Sequence, residues 1–316
     1  MDNTSVFLTP LLIVLPEARI DLGSGISIQK QPAVDFTALH GWDPLIGEEL
    51  IRIEEVPCWL TYEYESSHAG GPVQISDFMV AEYAMIALQI LAPVGARGVR
   101  VTCRKDGDKL TPRSVGRGHL LSGTKWSYQA AYELSRLTFV PLMVERLSYA
   151  VRVDIQRVVN SVALYLTGLN SENARIRTLL WTMALDALAM ASNASQFRSR
   201  LEGLLGRETP IFPARKDGVR PKYVVSDVTR SLYDFRSEVA HGRSVSNRFF
   251  HKIGFEATSG TTIVADYTLE QLLEEAALFM LNGVLQKVLT TELFLEIAVD
   301  SGWRRRLKSG GGQTQA

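Results

Sequence analysis

Ser226-Asp227-Val228-Thr229-Arg230-Ser231-Leu232-Tyr233-Asp234-Phe235-Arg236-Ser237-Glu238-Val239-Ala240-His241-Gly242 decides how the second half of this chain folds. Val228, Leu232, Phe235 and Val239 recur at intervals of 4, 3 and 4, the spacing of one face of an α-helix. Ser226 suits the cap of such a helix, and Gly242 suits the residue just past its end. Arg236 lies off the apolar stripe, beside Phe235, so it is expected to rim the core.

Working outward, helical periodicity dominates from about Tyr128. Leu142–Leu166 reads as one long amphipathic helix with Pro141 in its first turn. Ser171 is expected to cap a helix from Glu172 to about Ser192, with Ile176, Leu179, Leu180, Met183, Leu185 and Leu188 on its apolar side. A shorter helix follows over Gln196–Leu205, ending at Gly206. Residues 207–222 read as a basic loop. His251–Glu256 and Thr262–Ala265 suit a small hairpin, and Thr268 with Gln271 a capping box for a last helix, Leu269 to about Ala298. The tail from Ser309 reads as disordered.

The first half has a different texture. Short β-type runs at Val6–Leu15, Ile26–Gln29, Leu50–Glu55, Trp59–Tyr64 and Val99–Arg104 are bounded by Gly, Pro and Asp. Ser76 is expected to cap a helix over Asp77–Leu91, and Lys105-Asp106-Gly107-Asp108 is a turn signal. Residues 106–124 read as a long loop. The fold class is therefore α+β: a mixed α/β module over 1–130, a helical bundle over 131–308 and a tail over 309–316.

The 316 residues carry 34 basic and 34 acidic side chains, which argues against a chain built wholly to coat nucleic acid. The charge is not evenly spread: residues 1–130 hold 11 Lys and Arg against 15 Asp and Glu, the remainder 23 against 19. Two cysteines, Cys58 and Cys103, suit reduced thiols in a cytoplasmic protein and not a disulfide framework. No apolar run of membrane-spanning length is present, and Val6–Leu15 lacks the basic flank of a secretory signal, so no membrane partner is expected.

Arg236 and His241 are the residues with chemical promise. Arginine is a permanent cation whose planar fork fits phosphate oxygens. Histidine gives and takes a proton near neutral pH. At about 100° per residue, the five steps between them turn about 140° beyond a full circle, so a straight helix does not put them on one face. Gly242 offers a left-handed residue that would let the last turn unwind and swing His241 round. Cleavage of RNA by its own 2′-hydroxyl needs a base, a cation on the phosphorane and an acid for the leaving 5′-oxygen. One histidine cannot serve as acid and base at one instant, so a symmetric dimer is expected to complete the site. Ser237 could hold a phosphate oxygen or a water.

The segment Arg236-Ser237-Glu238-Val239-Ala240-His241, arginine, a polar residue, three more and a histidine, resembles the signature of the HEPN superfamily. The longer string Leu232 to Gly242 is most similar to the Apea-like HEPN branch, as is the apolar helix Leu179-Leu180-Trp181-Thr182-Met183-Ala184-Leu185-Asp186-Ala187-Leu188 with its internal acid. The resemblance covers roughly residues 135–300. It implies a metal-independent ribonuclease without cofactor, dimeric or of higher homo-oligomeric state, of the kind found in prokaryotic antiviral and toxin–antitoxin systems. Arg236 and His241 match the catalytic positions and Ser237 the polar one. Asp186 stands where the branch more often has glutamate; it is either an orienter of Arg236 or a buried acid paired for structure.

Other candidates read more plainly. Arg215, Lys216, Arg220 and Lys222 suit either an RNA-backbone contact or a solvated loop. Arg304-Arg305-Arg306 is a charge run, solvated by default. His40, His68 and His119 lack metal-ligand spacing and read as structural or exposed, His251 after Phe249-Phe250 reads as a surface or loop residue, and Gly95–Gly98 and Gly116–Gly118 lack the lysine of a phosphate loop. The alternatives to a ribonuclease are a non-catalytic nucleotide- or RNA-binding HEPN scaffold, and an interaction protein whose first part recognises a phage or regulatory protein.

Overall fold

β1 (Thr4–Leu11) is buried along almost its whole length, because strands lie on both of its edges and apolar side chains leave it on both faces. β2 (Arg19–Gly23), β3 (Ile26–Gln29), β4 (Cys58–Glu65), β5 (Val99–Asp106) and β6 (Lys109–Arg117) complete a six-stranded sheet in the order β2-β3-β4-β1-β5-β6, antiparallel at every pairing. The structure is a computed structural model that describes residues 4–11, 17–34, 58–65, 75–91, 99–117, 134–211, 220–221, 223–242, 253–256, 262–265 and 269–309. The chain divides into two compact units, Met1–Ser148 and Tyr149–Ala316.

Alternation along β1 sorts the side chains. Val6 and Leu8 join Trp59, Val101, Cys103 and Leu110 on one face. Phe7 joins Tyr64 and Ala81 on the other, Ala81 coming from α1 (Ile75–Leu91). Cys58 and Cys103 are buried thiols that form no disulfide, and burial pushes the Cys103 thiol up to about 12.

The expectation of a long loop over 106–124 is corrected by β6 as far as Arg117, and 118–124 lie outside the described residues. The turn at Gly107-Asp108 is present, with Gly107 at φ +59, but the chain then returns as a strand. Pro112 and Gly116 hide it in the sequence. Both are tolerated because β6 is an edge strand, and Pro112 pairs with Cys103 where the register shifts. β2 is a second strand beyond the expected set: it pairs with β3 through a tight turn in which Ser24 and Gly25 both have positive φ. The helix expected over Asp77–Leu91 starts two residues earlier, at Ile75, so that Ser76 lies inside it. The strand expected over 50–55 lies outside the described residues.

The first unit also holds α2 (Leu134–Leu137) and most of α3 (Val140–Arg152); the second unit takes the end of α3 and is a helical assembly of α4 (Gln156–Asn170), α5 (Ala174–Ala189), α6 (Ala194–Leu205), α7 (Val225–Ala240), α8 (Leu269–Thr290), α9 (Leu293–Ala298) and α10 (Asp300–Ser309). The three-stranded sheet β7 (Arg220–Pro221), β8 (Ile253–Glu256) and β9 (Thr262–Ala265) contains the expected hairpin and adds a strand to it. The α+β class thus holds.

Two helices expected to be continuous are broken. Between α3 and α4, Asp154 adopts φ +58 and its Oδ1 accepts from Gln156 Nε2 at 2.5 Å. The break lets Val151 and Val153 stay exposed while Ile155 and Val158 turn inward. After α8, the hydroxyls of Thr290 and Thr291 bond back to the carbonyls of Gln286 and Lys287 at 2.7 and 2.6 Å, and the chain restarts as α9 and α10.

α5 is the central helix, packing on α4, α6, α7 and α8. Its cap is Asn173 rather than Ser171: Asn173 Oδ1 accepts from the N–H groups of Arg175 and Ile176 at 2.9 and 3.2 Å. The core side is Trp181, Leu185 and Leu188 with Thr178, Thr182 and Ala184. Ile176 and Met183, expected inside, are 46% and 40% exposed. Gly168 of α4 lets the two helices meet closely, since a Cβ there would lie 2.2 Å from Trp181 Nε1. Among the described residues no helix is long and apolar enough to cross a membrane.

Candidate functional site

α7 presents Arg236, and three features hold it there. Val225, Val228, Leu232 and Phe235 are buried and fix the helix against its neighbours, with Val239 half-buried at the end of the stripe. The start lies a residue or two before the expected Ser226 cap: Val224 is the N-cap, and its N–H donates to Asp227 Oδ2 at 3.0 Å. Helical bonding persists to the end, where the His241 N–H donates to the Ser237 carbonyl at 3.1 Å and the Gly242 N–H to that of Val239 at 3.1 Å.

The last turn of α5 supplies Asp186. Arg236 Nη2 lies 2.8 Å from Asp186 Oδ2, with the arginine side chain 31% exposed and the aspartate 14%. The other carboxylate oxygen, Oδ1, is buried and has no hydrogen-bond partner among the described residues. Burial pushes the Asp186 carboxyl above the usual aspartate range, and the nearby guanidinium pulls against that shift. Of the two roles open to Asp186 from sequence, both begin with this contact.

Tyr233 sits one turn before Arg236, and its ring lies 5.4 Å from the guanidinium carbon. Phe197 of α6 packs against that ring at 5.5 Å. Arg236 is therefore bounded by a carboxylate on one side and an aromatic face on another, and its side chain stays partly open to solvent. Tyr233 is a site residue that sequence reasoning misses; the available signal is an aromatic residue three positions before a chemically interesting arginine.

His241 does not join this cluster within one chain. Gly242 takes the left-handed conformation at φ +65, but the turn it makes follows His241. His241 stays at φ −92, ψ 8, exposed, and among the described residues it forms no hydrogen bond or ion pair with Arg236. The expected unwinding that would swing the imidazole round is absent because the backbone bond to Ser237 closes the turn first. Ser237 is half-buried beside Arg236. Arg220 falls in β7, opposite Glu256, while Arg215, Lys216, Lys222, His40, His68, His119 and His251 lie outside the described residues.

The same end of α5 is closed by groups from other helices. Arg200 of α6 donates to the Ala189 carbonyl at 3.0 Å and also to that of Met190, which has φ +51. Trp303 of α10 donates from Nε1 to the Leu188 carbonyl at 2.8 Å. These bonds satisfy carbonyls that a helix end leaves without partners, so the turn carrying Asp186 is held in place. Neither protein-family models, nor curated proteins, nor solved structures yield a match to this chain.

Proposed function

We propose that the helical region is a metal-independent endoribonuclease of HEPN type, acting in prokaryotic antiviral defence by abortive infection or in a toxin–antitoxin pair. The observation that carries the reading is Arg236: oriented by Asp186 at 2.8 Å, partly exposed, next to Ser237 and little more than a turn from the exposed His241. Arg236 would hold the phosphate through charge-assisted hydrogen bonds that strengthen as charge grows on the phosphorane. A histidine removes the 2′-hydroxyl proton, the 2′-oxygen attacks phosphorus, and the 5′-oxygen leaves as it takes a proton from a second acid. The products are a 2′,3′-cyclic phosphate and a 5′-hydroxyl end. Since His241 stands clear of Arg236 in its own chain, the second proton-transfer group comes from a second copy, with the α7 helices of the two copies side by side.

Total RNA incubated with EDTA tests this. The wild type is expected to give fragments ending in 2′,3′-cyclic phosphate, and Arg236→Ala and His241→Ala to give at least about 100-fold less. Cleavage that persists in both variants would contradict the assignment. The rival reading, a non-catalytic RNA-binding or dimerising scaffold, draws on the same ion pair as a tie between α5 and α7; it predicts no cleavage from any form, and a partner protein at the N-terminal module fits either reading.

A further inference from the structure

The open side of α5 is apolar from end to end. Ile176 and Met183 are 46% and 40% exposed, and Leu179, Leu180, Ala187 and Met190 are half-buried. Ile176, Met183 and Met190 stand seven residues apart, with Leu179-Leu180 and Asp186-Ala187 between them. That is the spacing of a seam that receives another helix. The inward side of α5, with Trp181, Leu185 and Leu188, is already taken up in the core. The one acid along the seam, Asp186, lies at its edge and is paired with Arg236. The seam is also close to self-complementary. Counted outward from Met183, Ile176 matches Met190, and the large Leu179 matches the small Ala187.

We infer that this face of α5 docks on the same face of a second copy of the chain, antiparallel, with the two Met183 side chains meeting at the twofold axis. A twofold axis maps a patch onto itself, so it calls for a pattern that reads alike from its middle outward; a foreign helix would call for no such pattern. The seam from Ile176 to Met190 is about 21 Å long and supplies roughly half of the ~800 Å² that a stable dimer takes from each copy. The exposed end of α7, Ala240 to Gly242, offers further surface. The register has a consequence for the site. Packed helices stand about 8–10 Å apart, and the three residues from Met183 to Asp186 rise about 4.5 Å, so the two Asp186–Arg236 pairs lie about 9 Å apart along the helices. A twofold perpendicular to both helices keeps each edge of the seam on its own side, so both pairs line the same edge and open onto one groove. In that groove His241 of one copy can serve Arg236 of the other. The inference rests on the ribonuclease reading for the use of the groove, but the docking itself is measured without any cleavage.

The test uses the full chain and reads mass in solution by sedimentation velocity, with circular dichroism as the check on folding. The wild type is expected at twice the 35.1 kDa of one chain. Met183→Arg, which sets two like charges against each other at the axis, is expected at the mass of one chain with an unchanged helical spectrum. A second variant reads the register. Cys58 and Cys103 are buried, so the thiol of Met183→Cys is the one within reach of an oxidant such as copper phenanthroline. It should join two copies through a disulfide, seen as a doubled mass on a non-reducing gel. Ile176→Cys should not, because in the antiparallel register the two copies of residue 176 lie about 21 Å apart along the helices, well beyond the ~7 Å that a disulfide spans. A monomeric wild type would overturn the inference. So would a dimer that survives Met183→Arg, or one in which Ile176→Cys cross-links and Met183→Cys does not. A wild type that pairs through α5 but cuts no RNA would support the docking and count against the ribonuclease reading alone.

Discussion

At the N-terminal end of α5, Arg177 pairs with Glu274 of α8, and the two side chains are only 8% and 7% exposed. At its C-terminal end, Asp186 pairs with Arg236 of α7, and there the arginine is 31% exposed and one carboxylate oxygen has no partner among the described residues. Both pairs tie the central helix to a neighbour. In the first, Arg177 also donates to the Ser171 carbonyl at 2.7 Å, which helps to satisfy its remaining donors inside the protein. In the second, the arginine side chain stays partly open to solvent. A buried pair of the first kind holds a fold together only while both partners are present; an open pair of the second kind leaves a cation oriented and available.

The largest expected effect is on stability at the sealed end. Glu274→Ala strands the Arg177 charge in the interior and should cost about 3–5 kcal/mol, read from chemical denaturation. At the open end, Arg236→Ala should lower RNA cleavage by about 100- to 1,000-fold while costing less stability than Glu274→Ala, about 1–3 kcal/mol for leaving Asp186 without its partner. If Arg236→Ala were as destabilising as Glu274→Ala, the contrast between the two pairs would fail. Gly168→Ala tests the packing between them. Alanine favours helix by about 1 kcal/mol, yet the overlap with Trp181 should outweigh this and leave a net loss of about 1–3 kcal/mol.

The smallest effect is the pH dependence of Asp186→Asn. Burial raises the folded carboxyl above its unfolded value, so between the two the folded protein binds the extra proton. That contribution to stability is fully present below the unfolded value of about 3.9 and is lost as pH rises through the folded one. The wild type should therefore lose stability relative to Asp186→Asn over that window, by paired thermal melts across pH. A difference that runs the other way would mean that the pull of Arg236 outweighs burial.

Much of this is legible in the sequence. The 4-3-4 stripe of α7 puts Val228, Leu232 and Phe235 inside and Arg236 at the rim, because periodicity reports which side of a helix meets the core. The pairing of Asp186 with Arg236 is open as a possibility because an acid inside an apolar helix requires a partner. The position of His241 is not legible, since it depends on whether one backbone bond to Ser237 forms before Gly242 turns the chain. The exposure of Ile176 and Met183 is hidden for a related reason: a helix with four neighbours is apolar nearly all round, so composition does not say which side is left open. β6 is obscured by Pro112 and Gly116, whose acceptance depends on the strand being at an edge.

Measuring RNA cleavage and thermal midpoint on Arg236→Ala and Arg177→Met side by side, with EDTA present, bears most directly on the division between the two pairs. The expected result is a folded Arg236→Ala protein that no longer cuts RNA, and an Arg177→Met protein that is less stable but still cuts through whatever fraction remains folded. Cleavage retained by Arg236→Ala, or lost by Arg177→Met at a temperature where it is fully folded, would contradict it.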